Sequence, residues 1–283
     1  DWTFDLNYGL SRTKSWSREE TWSNHLYNGK RTMIEDDMRR IGQNWSNTIF
    51  ASASWETLKL TYNGQIIAGS KSWGLSSGTS GNFTNAYNML SPVGYHNVAL
   101  RYTAPFGMTV GGDYTRYSEN RSQSLFKDAD YLLGSENRQA IDRWHLYIDQ
   151  QHQFGKWQLS YGAEYQHSED HSSQHYGISG TPDFDDCFNE DVASFYVDAV
   201  QAVYQLALDW GLSFNASAKG EYYHNKYQHN WNFVPQLGAT YNKTPKSIFQ
   251  LNLSTQRIYP SYWELHGGTS YINDYSTVTG NPE

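Results

Sequence analysis

The sequence predicts an all-β protein, specifically part of an antiparallel up-and-down transmembrane β-barrel. Three observations lead to this prediction: long segments of alternating apolar and polar residues, short turns that alternate along the chain with long polar connections, and aromatic residues at the segment ends. Alternation with a period of two places apolar side chains on one face of a strand and polar ones on the other. Strands of a membrane barrel show this pattern because one face contacts lipid and the other faces the interior.

The composition fits a β-rich protein that is neither disordered nor a helical membrane protein. Of 283 residues, 16% are aromatic, with 11 Trp and 23 Tyr, whereas 38% are hydrophobic and 18% are charged. No run of about 18 or more apolar residues occurs, so no transmembrane helix is expected. The acidic N-terminal segment lacks the basic and then apolar pattern of a signal peptide, and we expect any export signal to lie outside this sequence.

Charge and cysteine content exclude two further classes of protein. The net charge is −8 and the Lys and Arg residues are scattered, which argues against a surface that binds nucleic acid. The single cysteine, Cys187, excludes an intrachain disulfide framework and has no nearby cysteine with which to form a metal-binding motif. We expect it to be an inert loop thiol rather than a nucleophile.

Five segments alternate clearly enough to be predicted as strands. In the first, DWTFDLNYGL, every second residue from Trp2 to Leu10 is apolar, and the same pattern recurs in segments that start at Leu58, Phe106, Trp157 and Trp210. Weaker alternation is found in six further segments: 44–55, 94–104, 139–152, 193–206, 231–242 and 247–259. The sequence therefore predicts about eleven strands of about 9 to 13 residues, longer than the usual strand of about 5 or 6 residues.

The connections between these strands are of two kinds. Tight joins are predicted at 55–57, 104–106, 153–155, 207–208 and 242–245. Long polar loops are predicted at about 12–43, 69–93, 118–138, 168–192, 223–230 and 260–283. Short periplasmic turns at one end and long extracellular loops at the other are typical of outer-membrane barrels. We therefore interpret residues 1–283 as one partial barrel domain.

The alternation assigns an apolar face toward lipid and a polar face toward a wet interior. The polar faces carry six charged residues: Asp5, Lys59, Asp113, Glu164, Lys219 and Glu221. In the interior a basic residue avoids the cost of about 2–4 kcal/mol that it would have at the lipid-facing midplane. For 193–206 the pattern does not decide which side chains face the lipid, because Phe195 and Val197 compete with Tyr196 and Val200 for the apolar side.

Aromatic residues mark both ends of the predicted strands. Those near the short turns are Trp2, Trp55, Phe106, Trp157 and Trp210, and those near the long loops are Trp45, Tyr95, Trp144, Tyr165, Tyr222 and Trp231. Two such girdles are expected where a barrel crosses the two membrane interfaces. The alternative fold is a large soluble β-sandwich, which also alternates but keeps its aromatic residues in the core.

The last third of the chain resembles the barrel region of TonB-dependent receptors, especially the Bacteroidetes-type outer-membrane barrel family. That family typically shows a PxLGxxY strand, a strand ending in R-x-P-S-Y-x-x-L and a Tyr-rich loop closing with GNP. The matching stretches here are Pro235–Tyr241, Arg257–Leu265 and Gly280–Pro282, within about 55 residues. The chain departs from the pattern by inserting Ile258 and Tyr259 before Pro260.

The resemblance implies a fold, a location and a function. The parent protein would have a barrel of about 22 strands, of which this chain supplies about eleven, and a plug domain that we expect to be missing here. The family resides in the bacterial outer membrane and imports siderophores, cobalamin, oligosaccharides or peptides, driven by the TonB complex through N-terminal parts upstream of this sequence. The implied partners are therefore the lipid bilayer, a nutrient ligand and TonB, with no cofactor.

Four residues near a loop end are candidate ligand-binding residues. Arg257, Tyr259, Tyr262 and Trp263 could stack on and hydrogen-bond a sugar or an aromatic chelate. The competing interpretation is that they anchor the strand at the membrane interface, and this interpretation is the favoured one.

Two groups of residues in one predicted loop are candidate metal ligands, although we predict no metal site. His167, His171 and His175 recur every fourth residue, which would suit zinc or copper on a helix, but the Ser-rich context favours a solvated loop. Asp183, Asp185 and Asp186 lie close to Glu190 and Asp191 and could bind calcium. Their spacing is not that of an EF-hand, so a solvated acidic loop is favoured.

No catalytic site is predicted, and the protein is not expected to be an enzyme. Glu164 and Glu221 could form a glycosidase pair, but charges are expected in any wet barrel interior. The leading hypothesis is a TonB-dependent transporter for nutrient uptake. The alternatives are a passive porin or adhesin barrel, or a soluble secreted carbohydrate-binding β-sandwich or glycoside hydrolase.

Overall fold

The structure is a computed structural model in which every regular element of the described residues is a β-strand. The described residues are 1–27, 30–78, 85–90, 93–127, 130–176, 183–201, 204–207, 210–244, 247–255, 270–273 and 276–278. None of these residues belongs to a helix long and apolar enough to span a membrane.

Thirteen strands of the described chain form one sheet, and two more form a separate hairpin. The sheet strands are β1 (Trp2–Tyr27), β2 (Lys30–Trp55), β3 (Leu58–Gly78), β4 (Asn85–Leu90), β5 (Val93–Thr103), β6 (Met108–Lys127), β7 (Asp130–Phe154), β8 (Trp157–Tyr176), β9 (Phe184–Gln201), β10 (Tyr204–Ala207), β11 (Trp210–Asn225), β12 (His229–Thr244) and β13 (Ser247–Ser254). The hairpin consists of β14 (Ser270–Asn273) and β15 (Ser276–Val278).

All strand pairs in the sheet are antiparallel, and most join strands that are consecutive in the chain. β4 and β5 both lie between β3 and β6, and β9 and β10 both pair with β11, so each of these two pairs forms one crossing of the sheet. The thirteen described strands therefore make eleven crossings, as the alternation predicts. β1 and β13 lie at the two ends of the strand order. This all-β, up-and-down antiparallel arrangement confirms the predicted fold class.

The strands are much longer than the sequence pattern indicates. β1 and β2 have 26 residues each, and their register runs unbroken from Trp2 opposite Trp55 to Tyr27 opposite Lys30. Most of the predicted loop at 12–43 is therefore paired strand, and strands also extend into the predicted loops at 69–93, 118–138, 168–192, 223–230 and 260–283. The physical reason is that pairing continues past the apolar belt, where both faces are polar and the alternation gives no signal.

Tight turns join the strands at the end of the sheet opposite these long extensions. Glu56 and Thr57 join β2 to β3, with Glu56 at a φ of 51°. Gly107 ends the turn before β6 at a φ of 89°, and its amide donates to the Ala104 carbonyl at 2.9 Å. Gly155 begins the turn between β7 and β8 at a φ of 57°. Glycine suits the last two positions because a positive φ costs it no steric energy.

The two faces of the sheet have the opposite polarity to those of a soluble protein. On β1, Phe4 and Leu6 are 71% and 77% exposed, and on β12 Phe233 is 69% exposed. By contrast, most of the described buried side chains are polar: Ser52, Thr109, Thr115, Asp170, Ser172, Gln174, Ser194, Asn225 and Asn232. An exposed apolar surface of this size marks a contact with a membrane or another protein, and its alternation with a polar face is that of strands that contact lipid. The soluble β-sandwich alternative, which keeps its aromatic residues in the core, is therefore wrong.

Register also resolves the faces of β9. Phe195 lies opposite Ala163 of β8 and is 62% exposed, whereas Ser194 lies opposite Glu164 and is 1% exposed. Phe195 and Val197 thus share the outward apolar face. Tyr196 faces inward and lies over Gly162, where a side chain would collide with the Tyr196 ring and with the carbonyl of Ile148. Glycine at this position makes room for a large neighbour.

Exposed aromatic residues border the outward apolar face at both ends. Trp2 and Trp55 stack at 6.0 Å near the tight turns, and Tyr222 and Trp231 pack at 5.0 Å toward the other end. On β8 the border residues are Trp157 and Tyr165, both 42% exposed. They are separated by about 26 Å along the strand, which a tilt of about 35–45° reduces to about 19–22 Å along the membrane normal, slightly less than the apolar band of about 25 Å of a membrane barrel.

The face assignment predicts which arginine substitutions block assembly. Leu60→Arg and Phe214→Arg place a cation on the outward apolar face, where we expect a cost of about 2–4 kcal/mol near the midplane. The expected result is loss of the heat-modifiable, folded band when outer membranes from cells producing the full-length protein are compared boiled and unboiled.

The matched controls change the adjacent residue on each strand. Thr61→Arg and Asn215→Arg place the same cation on the inward face, beside the small neighbours Ser52 and Gly238, respectively. We expect both to retain the folded band. Equal loss of folding from both faces would contradict the assignment.

Candidate functional site

A row of ion-paired and hydrogen-bonded side chains crosses the inward face of the sheet. We call Asp113, His145, Glu164, Lys219 and Glu221 the inner charge row. His145 lies between two carboxylates, with Nδ1 3.1 Å from Asp113 Oδ2 and Nε2 3.5 Å from Glu164 Oε2. Lys219 Nζ lies 2.9 Å from Glu164 Oε1 and 3.1 Å from Glu221 Oε2. Five charged or chargeable groups on β6, β7, β8 and β11 therefore form one connected network.

The strand register explains why these residues meet. Asp113 is directly opposite His145, and Ser194 is directly opposite both Glu164 and Glu221 on its two neighbouring strands. Ser194 Oγ donates to Glu164 Oε1 at 2.8 Å. At the other end of the row, Asn97 Nδ2 donates to Asp113 Oδ1 at 3.2 Å. With these two additions the polar row extends across β5, β6, β7, β8, β9 and β11.

The inward face is more tightly packed farther from the tight turns. Tyr223 is fully buried, its hydroxyl donates to Glu190 Oε2 at 2.9 Å, and it accepts from Asn225 Nδ2 at 2.8 Å. Asp170 is 6% exposed and accepts hydrogen bonds from Ser172 Oγ at 2.8 Å and Gln139 Nε2 at 2.9 Å. Burial raises the pKa of Asp170, against the opposing effect of these two hydrogen bonds.

A second cluster lies on the outward face of β8 and β9, beyond the aromatic border at Tyr165. We call Glu169, His171 and Cys187 the outer trio. His171 Nε2 lies 2.7 Å from Glu169 Oε1, and Cys187 Sγ lies 3.7 Å from Glu169 Oε1 and 3.8 Å from His171 Nε2. Burial and the neighbouring Glu169 carboxylate raise the pKa of the Cys187 thiol. These three side chains are all of types that bind transition metals.

The three predicted histidine candidates occupy one face of a strand rather than a helix or a loop. Each has a different carboxylate partner: His167 Nδ1 lies 2.9 Å from Asp191, His171 pairs with Glu169, and His175 Nδ1 lies 2.8 Å from Asp183. The extended backbone of β8 keeps the three rings apart, so they do not converge on one ion as they would on a helix.

The predicted acidic candidates are also separated. Along β9 the side chains alternate, so Asp185 and Asp191 lie on the outward face and Asp186 and Glu190 on the inward face. Asp186 Oδ2 binds Lys226 Nζ at 2.7 Å, and Asp183 binds His175. The constellation of Asp183, Asp185 and Asp186 considered for calcium is therefore not assembled in the structure.

The remaining candidates, Arg257, Tyr259, Tyr262 and Trp263, lie outside the described residues. Cys187 lies within β9 and not in the loop that the sequence predicts, and its contacts with Glu169 and His171 were not predicted, because those two residues come from another strand. The available signal was the β8–β9 register: extending the pairing of Tyr165 with Ala193 along the hairpin places Cys187 directly opposite His171. The charged residues of the inner row on β6, β8 and β11, in contrast, are those that the alternation places on the polar face.

Comparison with known families identifies the class of protein. A sequence model described as the outer membrane protein beta-barrel family matches residues 107–283, more than half of the chain. The chain belongs to this family, and its location is the bacterial outer membrane, embedded in the lipid bilayer. A comparison with curated proteins gives no match.

Solved structures with distant similarity to this chain include two autotransporter domains and an outer-membrane receptor. The beta domain of the Bordetella autotransporter BrkA has 13% identity and a TM-score of 0.35, over 88% of this chain and 92% of that one. The translocator domain of the autotransporter NalP from Neisseria meningitidis has 12% identity and a TM-score of 0.34, over 89% and 82%. The alcaligin outer-membrane receptor FauA from Bordetella pertussis has 11% identity and a TM-score of 0.39, over 84% and 42%.

The inner charge row predicts a specific stability defect. Lys219→Met removes the cation between Glu164 and Glu221 and leaves two half-buried carboxylates close together. We expect a loss of about 1–2 kcal/mol in the free energy of unfolding, between the values typical of exposed and fully buried pairs. The measurement is urea unfolding of the full-length protein in detergent micelles, followed by the heat-modifiable band.

Lys59→Met is the matched control, because Lys59 is an exposed lysine of β3 that also lies on the inward face of the sheet. We expect its unfolding midpoint to stay close to that of the unsubstituted protein. If the unfolding midpoint of Lys219→Met is no lower than that of Lys59→Met, the inner charge row does not stabilise the protein and the prediction is wrong.

Proposed function

We propose that this chain is part of a TonB-dependent outer-membrane receptor that imports a nutrient, such as a siderophore, cobalamin, an oligosaccharide or a peptide. The observation that carries the proposal is the inner charge row, a connected polar wall on the face opposite the lipid belt. Its groups, three carboxylates, one ammonium and one imidazole, can hold water or a polar ligand by hydrogen bonds. A polar wall of this kind supports passage of a hydrophilic solute.

The dependence on TonB rests on the resemblance of residues 235–282 to the receptor family, and the structure gives a physical reason for part of that motif. Gly238 of the PxLGxxY stretch lies directly between Asn215 of β11 and Asn252 of β13. A side chain there would collide with both amide oxygens, of which that of Asn252 is 2.6 Å from the ideal Cβ position. The motif glycine thus permits close packing of three barrel strands.

The proposed function is non-enzymatic. Glu164 and Glu221, which have the residue types of a glycosidase pair, both bind the ammonium of Lys219. A glycosidase needs one of its two carboxyl groups to be protonated and free to donate to the leaving group. Two carboxylates that share a cation fit a structural or ligand-binding role better.

The test is a transport measurement in the native host. A strain lacking the full-length gene is compared with a strain lacking TonB for uptake of radiolabelled ferric siderophores, cobalamin and labelled oligosaccharides. We expect both deletions to reduce uptake of the same compound. Complementation with the Lys59→Met variant should restore uptake, whereas the Phe214→Arg variant should behave like the deletion because its barrel fails to assemble.

Two results would overturn the proposal. Uptake that depends on this gene but not on TonB would identify a passive porin. A gene deletion that leaves uptake of every compound unchanged, while cell adhesion falls, would identify an adhesin barrel.

A further inference from the structure

The outer trio contains three side chains whose placement the barrel fold does not require. Residues on the outward face beyond the aromatic border contact neither lipid nor the interior, so any polar residue would serve there. Instead, a thiol, an imidazole and a carboxylate lie within 3.8 Å of one another. Glu169 and His171 are about half exposed, so the cluster can be reached from solvent.

The distances within the trio are close to those of a metal site. In a tetrahedral zinc site, bond lengths of about 2.3 Å to sulfur and about 2.0 Å to nitrogen place those two ligand atoms about 3.5 Å apart. The distances from Cys187 Sγ are 3.8 Å to His171 Nε2 and 3.7 Å to Glu169 Oε1. Only His171 Nε2 and Glu169 Oε1, which are 2.7 Å apart, have to separate before both can bind one ion. Rotation of the partly exposed Glu169 carboxylate would achieve this.

The strand pairing holds the trio in position before any ion binds. His171 and Cys187 are direct partners across β8 and β9, and Glu169 and Asn189 are the next partners on the same face. The four side chains therefore occupy the corners of one cross-strand rectangle. Asn189 Oδ1 lies 3.5 Å from Cys187 Sγ, so the fourth corner supplies another oxygen beside the sulfur.

We propose that Glu169, His171 and Cys187 bind a zinc-class divalent ion on the outward face of the β8–β9 hairpin. A mixed sulfur, nitrogen and oxygen set suits Zn²⁺, whereas Ca²⁺ and Mg²⁺ require oxygen ligands. When the ion binds, a metal–sulfur bond replaces the S–H bond and the thiol proton passes to solvent. The fourth position is taken by water or by Asn189. This site is independent of the proposed transport function.

The expected consequence of binding is a cross-link between two strands outside the membrane. Beyond Tyr165 the hairpin has no lipid against which to pack, and its outward side chains are held by ion pairs such as His175 with Asp183. Metal bonds between β8 and β9 stabilise this projecting hairpin more strongly than exposed ion pairs do.

The experiment uses the full-length protein, purified in detergent, reduced and stripped of metal, and titrated with Co²⁺ as a spectroscopic probe. We expect one Co²⁺ per chain with a near-ultraviolet thiolate charge-transfer band, which Zn²⁺ displaces. Cys187→Ser should abolish the band. His171→Gln should weaken Co²⁺ binding by more than about tenfold, the lower end of the loss seen for an outer-shell partner.

His175→Gln is the matched control, because His175 is an outward histidine on the same strand with its own carboxylate partner, Asp183. We expect it to bind Co²⁺ as the unsubstituted protein does. All variants are first checked for the heat-modifiable band, so that loss of binding is not loss of folding. Absence of a thiolate band, a band that persists in Cys187→Ser, or equal weakening by His171→Gln and His175→Gln would overturn the proposal.

Discussion

Continuous backbone pairing is the constraint on which the rest of the structure depends. Within a bilayer no water is present to satisfy N–H and C=O groups, so each strand has to pair along its whole membrane-spanning length. The β7–β8 register meets this requirement without a break, from Phe154 opposite Trp157 to Ser135 opposite Tyr176. Once the register is set, every side chain is assigned to one face by its position alone.

Both side-chain clusters follow from this single assignment. On β8 the inward positions include Glu164, whose carboxylate joins the inner charge row, and the outward positions include Glu169, whose carboxylate joins the outer trio. The two glutamates are five residues apart, an odd number, and therefore lie on opposite faces. A shift of one residue in the β8–β9 pairing would turn Ser194 and Cys187 to the opposite faces, so Glu164 would lose its Ser194 donor and the outer trio would break up.

Residues within the membrane could be predicted from sequence because lipid and water impose different requirements on the two faces. This holds for Phe4 and Leu6 on β1 and for Glu164 on β8. It fails on β9, where Tyr196 looks apolar but faces inward over Gly162, a fit that only the pairing shows. It also fails beyond Tyr165, where both faces are wet, so neither the true length of β8 nor the contact of His171 with Cys187 leaves a trace in hydropathy.

Backbone geometry explains two residues of the receptor-like motif. These residues can therefore be distinguished from side chains that the fold does not require. Pairing of β12 with β13 ends at Gln236 opposite Ser254, so Pro235 lies at the limit of that ladder, where a missing N–H donor is tolerated. Gly238 gives room to two asparagines. No comparable backbone requirement exists for Asp113, Glu164 or Lys219, because any small polar residue would suit a wet inward face. Their ion pairs are therefore the part of the inward face that the fold itself does not require.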